Sequence, residues 1–336
     1  MYDWIKGKKI LIIGGTGTIG KCLVETLIRF EPSVIRIFSR DEHKQFELKN
    51  KWKNIENLRF LIGDVRDKER LGRAMESIDY VFHLAAMKHV EACEYNPFEA
   101  VQTNIVGTQN VIQVANQMKV KKVVFTSSDK AISPTNTYGA TKLAAERLIS
   151  AAEYQKGTSQ TCFTAVRFGN VMGSRGSVIP LFKERILNGE PLFVTNNDVT
   201  RFMMTTQQAV DLLLQATDRS VGGEVFVLKM PVIRLGNLTS AIVQSMQDKY
   251  KLAHEVEINE IGLKPGEKLY EELMTFEESR HAIELPDMFI VPSPFLEQSR
   301  DYGGKPAKRS TYSSEHVHPL NTNEIIDLIA NQAKLI

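Results

Sequence analysis

Ile10-Leu11-Ile12-Ile13 runs without a break into Gly14-Gly15-Thr16-Gly17-Thr18-Ile19-Gly20, and this junction constrains the fold more than any other stretch. Four successive apolar residues fit a parallel strand buried on both faces. The pattern Cys22, Leu23, Leu27, Ile28 that follows has helical spacing. Strand, glycine turn, helix is the context of a dinucleotide-binding turn. The glycines permit close backbone approach, and the helix N-terminus then faces a pyrophosphate. The spacing is GxxGxxG, over Gly14, Gly17 and Gly20, rather than GxGxxG. A bare glycine motif carries little; directly behind such a strand it becomes specific.

The alternation repeats along the chain. Strands are expected at 34–38, 58–62, 80–84 and from 122, with a long helical segment over 98–118, which completes five β-α units. That order dictates a doubly wound parallel sheet of Rossmann type. A sixth strand at 161–168 gives way to a glycine-rich, polar run at 169–180, the expected edge of a smaller lobe. A helix near 207–216 and a strand at 224–228 return to the main sheet. The fold class is therefore α/β, with a smaller C-terminal substrate-binding lobe. The expected division is 1–172 plus about 203–230 for the dinucleotide domain, and about 173–202 with 231–336 for the lobe. By the strand-end rule, a ligand lies over Gly14, Ala85, Ser127 and Tyr138.

The second strand ends in Ser39-Arg40-Asp41-Glu42. A hydroxyl and a guanidinium there suit the 2′-phosphate of NADP, with Lys44 one helical turn on as a helper; Asp41 and Glu42 leave NAD open. Asp64 is placed to accept from the adenine amino group, or else it caps a turn while Asp67 caps a helix. Ala85 and Ala86 leave room for a cofactor, and Lys88 and His89 follow at the same strand end. Farther along, Arg175, Arg201, Lys264 and Lys268 are candidates to neutralise a diphosphate, against the plainer reading of solvated surface charges.

Tyr138 and Lys142 are four apart at the start of a helical pattern and share a face. An ammonium beside a phenol lowers its pKa, which makes a base for a sugar or alcohol hydroxyl. Charge excludes other classes: 42 basic against 40 acidic residues give no footprint for nucleic acid or an anionic membrane. Three scattered cysteines (Cys22, Cys93, Cys162) form no CxxC and fit a reducing cytosol. The longest apolar run near the N-terminus is four residues, so neither a signal peptide nor a span is expected, and the chain reads as soluble and cytoplasmic. The seven histidines form no metal box; His316 and His318 read as surface residues on a tail.

Taken together, the glycine turn, Asp64-Val65, Ala85-Ala86, Asn104 and Tyr138-xxx-Lys142 resemble the extended short-chain dehydrogenases/reductases. Within them the chain is most similar to the inverting UDP-N-acetylglucosamine 4,6-dehydratases (5-epimerases) of pseudaminic acid and capsular sugar pathways. The matching stretches include GGTGTIGK at 14–21, HLAAMKHV at 83–90, SSDKAISPTNTYGATK at 127–142, RFGNVMGSRGSVIPLF at 167–182 and GLKPGEKLYEEL at 262–273.

The resemblance implies roles. Tyr138 is the base for the sugar 4-hydroxyl as hydride passes from carbon 4 to the nicotinamide, with Lys142 beside it. Ser128 bonds the 4-oxygen, Lys130 takes the carbon-5 proton, and Asp129 protonates the leaving 6-hydroxyl. It also implies a tightly held, recycled NADP lined by Gly14, Thr16, Gly17, Thr18 and Ile19, by Ser39, Arg40 and Lys44, and by Asp64 and Val65. Ala85, Ala86, Lys88, Asn104, Ser127 and Lys142 complete that side. The UDP-sugar would meet Lys88, Asn170, Ser177, Val178, Arg201, Lys264 and Glu267, and the relatives' hexamers or dimers imply a homo-oligomer.

Two positions depart from the pattern: Ser128 stands where Thr is usual, and Lys264 where a loop arginine is common. With the mixed cofactor signal, they leave open a sister role on the keto or enone intermediate. A 4-epimerase would share Tyr138 and Lys142 but needs no acid–base pair at 129–130. A dinucleotide sensor would need neither.

Overall fold

The computed structural model describes residues 2–174, 176–252, 255–293, 301–333 and 335. The first six strands are β1 (Lys9–Ile13), β2 (Val34–Ser39), β3 (Leu58–Ile62), β4 (Tyr80–His83), β5 (Lys122–Thr126) and β6 (Cys162–Arg167). They lie in the order β3-β2-β1-β4-β5-β6, all parallel. This is a doubly wound sheet whose order reverses between β1 and β4, so the crevice for a ligand opens beyond their C-terminal ends. Ile10 to Ile13 are at most 1% exposed, as a strand covered by helices on both faces requires.

The sheet continues past β6 to ten strands. Val225–Leu228 joins β6 in parallel, as expected, and then Met288–Val291, Ile283–Glu284 and Lys305–Pro306 add an antiparallel edge. Those last three come from the part of the sequence assigned above to the lobe. Their short apolar and charged stretches carry no β-α rhythm that would have tied them to the main sheet.

A second core, built on Phe182, Leu192, Leu238, Ile242 and Ile325 among others, underlies the smaller lobe. Its sheet runs Pro319–Leu320, Val232–Arg234, Thr200–Met204, Asn170–Val171. The stretch holding His316 and His318 is thus anchored by a strand rather than being a tail, although both histidines are exposed as expected.

The helical segment expected over 98–118 is not continuous. It consists of Pro97–Ala100, a π-helical turn at Val101–Val106, and Gly107–Gln117. The wide turn carries Asn104, whose buried amide bonds both the N–H and the C=O of Met87 at 2.8 and 3.0 Å and donates to Thr141 Oγ1 at 2.9 Å. Asn104 thereby clamps the loop after β4 to the helix Thr137–Gln155. Beneath that helix, Arg167 forms a buried hub: it bonds Glu146, Glu278 and the Leu273 carbonyl.

Candidate active site

At the strand ends the chain leaves a cavity of about 720 Å³. Gly14 forms its floor with φ +85°, and a Cβ there would sit 2.8 Å from the Ala85 nitrogen. Only glycine satisfies both demands. Gly17 caps helix α1 (Thr18–Ile28), whose free N–H groups open toward the cavity. Thr16, Thr18 and Ile19 line it, as do Val65, Ala85, Ala86 and Lys88.

At the end of β2, Ser39, Arg40 and Lys44 also face the cavity. Each has a partner of its own. Ser39 Oγ accepts from Gln45, Arg40 lies 3.6 Å from Asp64, and the Lys44 ammonium rests on the Asp41 carboxylate that caps helix α2 (Glu42–Lys51).

Asp64 is not among the residues lining the cavity. Its carboxylate accepts from the Arg66 backbone and guanidinium at 2.9, 3.0 and 2.8 Å, the arrangement of the turn cap, the alternative to the adenine contact. Burial opposes its charge, but Arg66 and Arg40 outweigh it and hold Asp64 below the ordinary carboxylate range. Asp67 caps the next helix. The Asn104 amide is engaged by Met87 and Thr141.

The reactive groups follow β5. Ser128 opens a 3-10 turn, Asp129–Ala131, and its Oγ donates to Asp129 Oδ1 at 2.8 Å. Lys130 bonds the same oxygen twice, from its backbone N–H at 2.8 Å and from Nζ at 3.2 Å. Helix Thr137–Gln155 packs on this turn so closely that a Cβ on Gly139 would stand 2.1 Å from the Lys130 carbonyl. The absence of a side chain there brings Tyr138 over the turn. Tyr138, Ser128, Asp129, Lys130 and Lys142 all line the cavity.

The electrostatics differ from the simple pairing of Tyr138 with Lys142. Burial raises the Tyr138 pKa, and the groups pulling it down are the Ser128 hydroxyl and the Lys130 ammonium. Lys142 instead donates to the Thr126 carbonyl at 2.5 Å and sits 4.2 Å over the Phe125 ring. Burial brings its pKa down to about 7, with Glu146 partly compensating. The expected lowering of the phenol by Lys142 is therefore corrected: that ammonium is turned toward the strand.

Burial works against a charged Lys130 as well, but the Asp129 carboxylate leads the groups that hold the amine above the ordinary lysine value, and the Glu271 carboxyl lies 3.5 Å from the same Nζ. Glu271 was not singled out by sequence reading. It lies in KLYEEL beside one neighbouring glutamate, Glu272, and no spacing marks which of the two turns inward.

Of the substrate candidates, Lys88, Asn170 and Ser177 line the cavity. Val178, Arg201, Lys264 and Glu267 are not among its lining residues and engage other parts of the chain. Val178 begins the helix Val178–Leu187 and packs on the lobe core. Arg201 bonds the Lys268 carbonyl at 2.8 Å and Glu267 at 3.3 Å. Lys264 is paired with Glu91 at 2.7 Å. These contacts make 262–270 a strap joining the lobe to the dinucleotide domain, further pinned where Thr135 and Asn136 donate to the Gly266 carbonyl. Arg175 lies outside the described residues.

Several buried polar atoms along the cavity have no hydrogen-bond partner: Thr103 Oγ1, Ser127 Oγ, Asp129 Oδ2 and Ser177 Oγ. Together with the Gly14 cradle they fit a polar ligand of dinucleotide character.

Residues 10–293 match a family described as polysaccharide biosynthesis protein. A solved structure described as Pen from Bacillus thuringiensis is similar with a TM-score of 0.94 and 55% identity, covering 99% of each chain. An uncharacterized membrane protein of Methanocaldococcus jannaschii is 51% identical over 86% of this chain and 87% of its own. Among the described residues here, no helix is long and apolar enough to cross a membrane. A UDP-N-acetylglucosamine 4,6-dehydratase (inverting) of Campylobacter jejuni is 41% identical, covering 96% of this chain and 97% of its own. A UDP-glucose 4-epimerase of Rickettsia rickettsii is 36% identical, covering 96% and 95%.

Proposed function

We propose that this chain, which belongs to the polysaccharide biosynthesis protein family of extended short-chain dehydrogenases/reductases, removes water across carbons 5 and 6 of UDP-N-acetylglucosamine, with inversion at carbon 5, to supply a deoxy-keto sugar for a surface glycan. One observation carries the reading. A phenol, a carboxyl and an amine from Tyr138, Asp129 and Lys130 converge on one cavity, and Asp129 Oδ2 is buried there without a partner. A 4-epimerase has use for the phenol but not for the adjacent acid and base.

A bound nicotinamide would store the hydrogen taken from carbon 4 and return it at carbon 6. The residues of the chain do the rest. Tyr138 accepts the 4-hydroxyl proton, and Ser128 and Lys130, which already pull against burial, stabilise the phenolate. Lys142, fixed by the Thr126 carbonyl, would hold the nicotinamide ribose. Lys130 removes the carbon-5 proton, acidified by the neighbouring ketone, while Asp129 protonates the 6-oxygen as it leaves. The loop after β4, held by Asn104, keeps Lys88 at the mouth for a phosphate.

Incubation with UDP-N-acetylglucosamine followed by mass spectrometry tests the reading. Loss of one water supports it. An unchanged mass with altered stereochemistry makes the chain an epimerase, as the rickettsial relative is named. No turnover of any nucleotide sugar overturns both.

For the cofactor we propose NADP, because Arg40 and Lys44 both line the cavity at the end of β2. A phosphate dianion there competes with Asp64 and Asp41 for these cations, whereas a bare ribose hydroxyl does not. Cofactor released by heat and identified by chromatography should be mainly NADP(H). Overwhelming NAD(H) would mean that the two aspartates, not the ligand, are the partners of those cations in the working enzyme.

A further inference from the structure

We infer that Glu271 is a third member of the acid–base group, a positioning residue that acts through Lys130 as a neutral carboxylic acid; this rests on the dehydratase reading above. Lys130 Nζ lies between two carboxyls, 3.2 Å from Asp129 Oδ1 and 3.5 Å from Glu271 Oε1. Both carboxyls are buried, at 1% and 3% exposure, and the second oxygen of each, Oδ2 and Oε2, has no hydrogen-bond partner. The Glu271 backbone is held on both sides by Ser314, whose Oγ accepts from Glu271 N at 3.0 Å and whose N–H donates to Glu271 O at 2.9 Å. The side chain is thus delivered to the amine by a fixed strand end.

Charge decides its protonation. The groups facing Glu271 are Lys130 and Asp129 from the 3-10 turn, Arg201 from Thr200–Met204, and Lys268 from the strap. Arg201 Nε is 3.9 Å away, but its guanidinium is already engaged by Glu267 and the carbonyls of Thr200, Lys268 and Leu269. Lys268 Nζ donates to the Ile132 carbonyl at 2.9 Å. Lys130 is matched by the Asp129 carboxylate and Arg201 by Glu267, and the Lys268 ammonium is turned to the Ile132 carbonyl, so burial favours the protonated form of the remaining carboxyl, Glu271. Burial, the largest influence on Glu271, also pushes its pKa up.

A neutral Glu271 matters for the chemistry. Before elimination the Lys130 ammonium must pass a proton to Asp129: an N–H bond breaks, an O–H bond forms, and the net charge is unchanged. The free amine then takes the carbon-5 proton, the Asp129 acid gives its proton to the 6-oxygen, the carbon–oxygen bond breaks and water leaves. Ammonium and carboxylate are restored. An ionised Glu271 beside Nζ would pin the ammonium and oppose the first transfer, whereas a neutral one holds Nζ in place without adding charge.

The test compares wild type, Glu271→Gln and Glu271→Ala. Glu271→Gln, which imitates the neutral acid, should keep kcat for water loss within about threefold and lose the alkaline decline that wild type shows as Glu271 ionises. Glu271→Ala should fall about tenfold or more at every pH, since Nζ is no longer held. A second readout needs no turnover. In the ligand-free chain labelled at glutamate carboxyl carbons, the signal missing from Glu271→Gln should sit at the protonated shift at neutral pH and move as pH rises. That signal at the carboxylate shift, or a Glu271→Gln variant as impaired as Glu271→Ala, overturns the inference. A protonated signal from a chain that dehydrates no UDP-hexosamine sinks the dehydratase reading and leaves the protonation state standing.

Discussion

The double variant Asp129→Asn, Lys130→Ala should lose dehydration by at least about a thousandfold while keeping part of the sugar carbon-4 oxidation, slowed because Lys130 also steadies the Tyr138 phenolate. General acids and bases contribute about a hundred- to ten-thousandfold each, and a coupled pair multiplies incompletely. Neither change touches the Gly14 floor or the Asn104 clamp, so ligands should still bind. Tyr138→Phe behaves differently, since the first proton is never taken: neither reduced cofactor nor water loss should be seen. Single-turnover absorbance of the nicotinamide, with product mass read in parallel, separates the two steps. A double variant dehydrating at near wild-type rate would remove Asp129 and Lys130 from the mechanism.

Arg167→Met should be the most destabilising of the substitutions considered, by about 3–5 kcal/mol, because it leaves buried carboxylates without their cation. Arg167 and Glu146 are fully buried, and the guanidinium also bonds Glu278 at 2.7 and 2.8 Å. A fall in melting temperature on the order of 10 °C is expected for a chain of this size. The loss should depend on pH. Burial raises the Glu278 pKa, but Arg167 overrides it and holds the group below 4.5. Its stabilisation is present above the unfolded value and lost as pH falls through the lower, folded one. Wild type and variant should therefore converge in acid. Melting within a degree or two of wild type at neutral pH would show that the hub is dispensable.

The dinucleotide half was readable because its strands are mostly apolar, β1 without a break and β2 and β3 interrupted by a single arginine before their last residues, and several end in a chemically marked turn. Gly14, Ser127-Ser128-Asp129-Lys130 and Tyr138 reach one cavity through local rules alone. The family membership expected from these motifs holds. The lobe was harder to read because its contacts join residues far apart in sequence. Lys264 looks like a phosphate ligand until Glu91, 173 positions away, is seen to hold it. Asn104 is expected at the cofactor from the resemblance, whereas the π turn, which the expected continuous helix did not foresee, aims its amide at Met87. Glu271 carried no signal, since burial beside Lys130 is set by Ser314 and the strap rather than by its neighbours in the chain.

The antiparallel edge of the main sheet has a consequence for synthesis on the ribosome. The cavity-lining residues all lie at or before Ser177, so a nascent chain grown to about residue 260 already carries the whole pocket. It still lacks Met288–Val291, the strand that covers Val225–Leu228. Until that segment emerges, an apolar strand with unpaired N–H and C=O groups is open to any passing chain. Slow, long-range closure of this kind invites misassembly. Truncations that spare every pocket residue should therefore yield an adhesive protein rather than a smaller enzyme.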